Sequence, residues 1–70
     1  MMPLTLAQQG ETNYIQKITG KDEVRQHLAE LGFVVGGRVT VVSVVAGNMI
    51  LQVKDCRVAL NRDMAQRIMI

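Results

Sequence analysis

The chain has 70 residues and a formal charge of +2, with one cysteine, Cys56, and one histidine, His27, so neither a disulfide nor a metal staple can be built within it. Nearly half of its residues are apolar, yet only Tyr14 and Phe33 are aromatic, which predicts an aliphatic core within a single small domain over 1–70. No stretch approaches the roughly 20 apolar residues of a membrane span, the N-terminus lacks the regions of a signal peptide, and the basic residues are scattered. These features place the chain in the cytoplasm, with no direct membrane insertion and no nucleic-acid partner.

Thr5-Leu6-Ala7-Gln8 has the spacing of a capping box and predicts one helical turn before Gly10. Asn13 to Thr19 reads as a first strand, although Ile15 and Ile18 lie three apart, which requires a bulge or bend near Gln16-Lys17. A helix follows, opened by Asp22 and Glu23 at the positive end of its dipole and striped by Val24, Leu28 and Leu31. Gly32 ends it, because a glycine past the last periodic residue takes the left-handed conformation that satisfies orphan carbonyls, and Phe33 packs back on the last turn.

From Arg38 to Val45 the chain is too rich in β-branched residues for a helix and reads as a strand. Ala46-Gly47-Asn48 turns it into a second strand, Met49 to Lys54, with positive backbone angles expected at Gly47 and Asn48. Lys54-Asp55 leads into a third, Cys56 to Leu60, in which Cys56, Val58 and Leu60 share the inner face. Asn61 caps one more helical turn, and Arg67 to Ile70 closes the chain as a strand. Five strands and one helix predict a small, bent antiparallel barrel, with an open sheet covered by the helix as the alternative.

Candidate chemistry is sparse. Gly32, Gly36 and Gly37 run from a helix into a strand, the reverse of a phosphate loop, and with Gly47 they are assigned to turns. His27 sits four residues after Glu23, where a helix-shoulder ion pair is expected, and Cys56 is expected to be a small buried or half-buried strand residue. No nucleophile with its base and no useful carboxylate pair is present, so no catalytic or cofactor-binding residue is assigned and the chain is not read as an enzyme.

Several segments together carry a resemblance: Tyr14-Ile15-Gln16-Lys17-Ile18, Leu28 to Phe33 with Gly36 after it, Gly47-Asn48, and Val58-Ala59-Leu60 through Ile68. In order and spacing they resemble the FeoA family, small cytoplasmic proteins of bacterial ferrous iron uptake, over almost the whole chain. The resemblance implies a mainly β, SH3-like barrel and a helper that binds and modulates FeoB, a membrane transporter with a cytoplasmic GTP-binding domain. Expected contact residues are Gln26, His27 and Glu30 on the helix, with Phe33 and Val35 on the adjoining turn. Similar domains end some metal-dependent repressors, which implies the alternative of a metal-responsive module. It would bind Fe2+ or another divalent transition metal through His27 and Cys56, and self-association is compatible with either reading.

Overall fold

A computed structural model describes residues 1–70. The chain starts with a 3-10 turn over Leu4–Leu6 and then forms β1 (Thr12–Tyr14), β2 (Lys17–Ile18) and α1 (Asp22–Glu30). Three longer strands follow, β3 (Arg38–Val45), β4 (Asn48–Val53) and β5 (Cys56–Asn61), before α2 (Arg62–Ala65) and β6 (Ile68–Met69). Strands β1-β3-β4-β5 make one antiparallel sheet and β2-β6 a second. Both sheets enclose one core of 13 buried residues, all of them apolar. The fold is therefore a mainly β barrel, as the resemblance implies, and not the open sheet held as the alternative.

There are six strands because the predicted first strand is two. Ile15, only 1% exposed, is the corner between them. Its amide donates to Gly37 O at 2.9 Å and its carbonyl accepts from Gly36 N at 2.8 Å, while Gln16 N already bonds Met69 O of the other sheet at 2.7 Å. The two inward isoleucines at a spacing of three thus mark a strand that leaves one sheet and joins the next. Gly36, at φ +87°, supplies the turn that meets this corner.

The end of α1 follows the glycine expectation. Gly32, at φ +107°, donates to Ala29 O at 3.0 Å, and Phe33 N bonds back to Leu28 O at 2.9 Å, the paired bonds of a Schellman cap. Phe33 is fully buried behind it. Asn61 also performs as read: its Oδ1 accepts from Met64 N at 2.8 Å and starts α2.

Four local expectations are corrected. The first turn is entered through Pro3, at φ −64°, and no side chain caps it. Thr5 therefore lies inside the turn, because the fixed proline backbone starts it earlier and Leu4 is drawn into the core at 0% exposure. In the β3–β4 hairpin the positive angles fall on Ala46 (φ +50°) and Gly47 (φ +83°), while Asn48 pairs with Val45. A two-residue loop with both residues left-handed matches the twist of the flanking strands.

Cys56 is exposed, although it shares a face with Leu60. Burial rises along that face from Cys56 through half-buried Val58 to Leu60; β5 is an edge strand, and at its Cys56 end the core place is taken by the paired Val53 of β4. The fourth correction concerns His27, which is exposed and forms no ion pair with Glu23; the pair on α1 is Arg25 with Asp22. On a solvated helix face such pairs contribute little, so sequence spacing alone does not hold them together. One further feature, a bulge between Val41 and Ser43, is invisible in a uniform β-branched run.

Candidate interaction surfaces

The corner at Ile15 and the cap at Gly32 bring β2, the start of α1 and the turn after Phe33 together. Between them lies an open groove of about 580 Å³ lined by Gln16, Lys17, Ile18, Asp22, Arg25, Gln26 and Val35. Its apolar parts are Ile18 and Val35, and its charges are those of Lys17, Asp22 and Arg25. Val35 is 65% exposed and Val34 40%, so the turn presents two branched aliphatic side chains to solvent. An open groove that mixes exposed aliphatic and charged side chains suits docking of a protein surface more than enclosure of a small molecule.

Of the residues expected to touch a partner, the structure places Gln26 and Val35 in this one groove. His27 and Glu30 are exposed on α1; Glu30 lies one turn on from Gln26, whereas His27, the next residue after Gln26, points about 100° round the helix from it. Phe33 is removed from the set: at 0% exposure it anchors the cap and core, and no partner reaches it. Sequence alone does not point to Gln16, Lys17, Ile18, Asp22 and Arg25 as groove residues, because their assembly depends on β2 leaving the first sheet.

His27 and Cys56 do not gather other donors: no group of three or more His, Cys, Asp or Glu side chains is assembled anywhere in the fold. A transition-metal centre needs several converging ligands, so the residues present do not fit an intrachain one. No helix is long and apolar enough to cross a membrane.

A family model, the FeoA domain, matches residues 2–70. The chain belongs to the FeoA family. It is 30% identical over 70 residues to the "Putative Fe(2+) transport protein A" of Methanocaldococcus jannaschii, covering all of this chain and 85% of that protein. The crystal structure of Stenotrophomonas maltophilia FeoA, a zinc complex described as an SH3 domain protein, superposes with a TM-score of 0.85 at 25% identity. That match covers 99% of this chain and 88% of the other. A manganese-dependent transcriptional repressor shares the fold at a TM-score of 0.86 and 22% identity, over 94% of this chain and 38% of the repressor. The FeoA fold is thus found both as a small separate protein and as part of a longer regulator. Membership places this chain in the same family as proteins named for Fe(2+) transport.

Proposed function

We propose that this FeoA chain is a cytoplasmic, non-catalytic module that binds the cytoplasmic GTP-binding domain of a FeoB-like ferrous iron transporter and modulates uptake. Family membership over residues 2–70, beside 30% identity to a protein named for Fe(2+) transport, carries the reading. The groove between α1, β2 and the Val34-Val35 turn is the docking surface, with Gln26 and Val35 inside it and His27 and Glu30 on the adjoining helix face. Its exposed aliphatics gain by leaving water, and its rim charges set orientation. Iron is the cargo of the transporter in this scheme and needs no site on the module. Equilibrium binding of the 70-residue chain to the isolated cytoplasmic domain of the cognate transporter is the test. Saturable binding supports the proposal, and absence of binding to both that domain and the full transporter removes it.

A further inference from the structure

The outer face of the four-stranded sheet holds a second feature, which docking at α1 leaves unused. Strand register aligns Thr12, Thr40, Gln52 and Arg57 in one row across all four strands, about 14 Å wide at ordinary strand spacing. The row is hydrogen-bonded at both ends: the Thr12 and Thr40 hydroxyls lie 2.8 Å apart, and Arg57 Nε donates to Gln52 Oε1 at 3.2 Å. Arg38 and Lys54 stand two residues along from Thr40 and Gln52. With Thr12, Thr40 and Gln52 they line a groove of about 330 Å³ that Gly32 and Gly37 help to wall.

The charges in this groove are unmatched. Arg25 and Arg67 each have a carboxylate a few residues before them, Asp22 and Asp63, but Arg38, Lys54 and Arg57 form no ion pair. No carboxylate lines the groove. Glu30 and Asp55, close in sequence to Gly32 and Lys54, pair with neither cation. Two cations with free donors, flanked by hydroxyls, form an oxyanion receptor, and the flat fork of an arginine matches a carboxylate in two-point contact.

We propose that this groove receives the carboxylates of an acidic protein segment laid across the sheet face. A single-stranded nucleic acid would need aromatic platforms for its bases, and Tyr14, opposite Arg38 in the register, is the one aromatic side chain exposed. The proposal does not depend on transporter docking, and its test uses no transporter, so the two stand or fall separately.

The probe is a fluorescein-labelled hexaglutamate peptide, titrated with the full chain at low salt and read by anisotropy. Saturable binding is expected, weakening as salt is added and falling roughly tenfold in the double variant Arg38→Gln/Lys54→Gln. Lys21→Gln/Arg62→Gln, which removes two exposed positive charges outside both grooves, should leave the affinity unchanged. Because Lys54 holds a φ of +53°, Arg38→Gln alone serves as the second variant, and it should weaken binding without moving the thermal midpoint. No saturable binding, or equal weakening by Lys21→Gln/Arg62→Gln, overturns the proposal. Tighter binding of a labelled hexathymidylate than of hexaglutamate also overturns it and reassigns the face to nucleic acid.

Discussion

Gly32 and Ala46 both hold a positive φ, +107° and +50°, and only one of them is the residue that positive angles favour. A Cβ built on Gly32 meets nothing closer than Val53 Cγ2 at 3.5 Å, so space is available and the φ of +107° is what excludes other residues. Gly32→Val should lower the unfolding free energy by more than about 1 kcal/mol, because a β-branched residue is poorly tolerated in the left-handed region. Urea denaturation with an unchanged midpoint and slope would contradict the cap. Ala46 is the mirror case: Ala46→Gly should raise stability by roughly 0.5 to 1 kcal/mol by relieving a positive φ in an exposed turn. A thermal or urea midpoint below that of the parent chain would count against it. The Gly32 cap is legible because helix periodicity stops beside it. The strain at Ala46 is not, because an Ala-Gly-Asn run offers two better candidates and only the pairing of Val45 with Asn48 selects the turn residues.

Among the elements, those specified by local chemistry were readable and those specified by pairing were not. The alternation of Met49, Leu51 and Val53 predicts the buried face of β4 correctly, since a two-residue period has one solution in a half-buried strand. Asn61 signals α2 by itself, and Asn61→Ala should cost about 1 kcal/mol through loss of the bond to Met64 N, measured by chemical denaturation. A loss below a few tenths would mean that α2 is held by packing alone. The segment from Asn13 to Thr19 shows the limit. Its isoleucine spacing announces a bend, but that β1 pairs with β3 while β2 pairs with β6 depends on strands far along the chain. The polar row on the sheet face stayed hidden for the same reason, since Thr12, Thr40, Gln52 and Arg57 become neighbours only through register.

For the whole molecule, a Cα radius of gyration of 10.5 Å lies close to the roughly 11 Å expected for a folded chain of this length. It is held by an all-apolar core and by paired backbone bonds of 2.9 and 2.8 Å between Met2 and Ile70. The candidate docking site was partly legible at this scale. Gln26 and Val35 were assigned from a helix face and its adjoining turn, whereas Phe33 failed because an aromatic that completes a cap is drawn into the core. Lys17, Ile18 and Arg25 needed the fold. The direct measurement is therefore the affinity of groove variants for the isolated GTP-binding domain of the cognate transporter. Gln26→Arg/Val35→Asp should weaken binding at least about tenfold, as expected when central contacts are replaced by charge, with the thermal midpoint unchanged. Parental affinity in this correctly folded variant would contradict docking through the α1 groove.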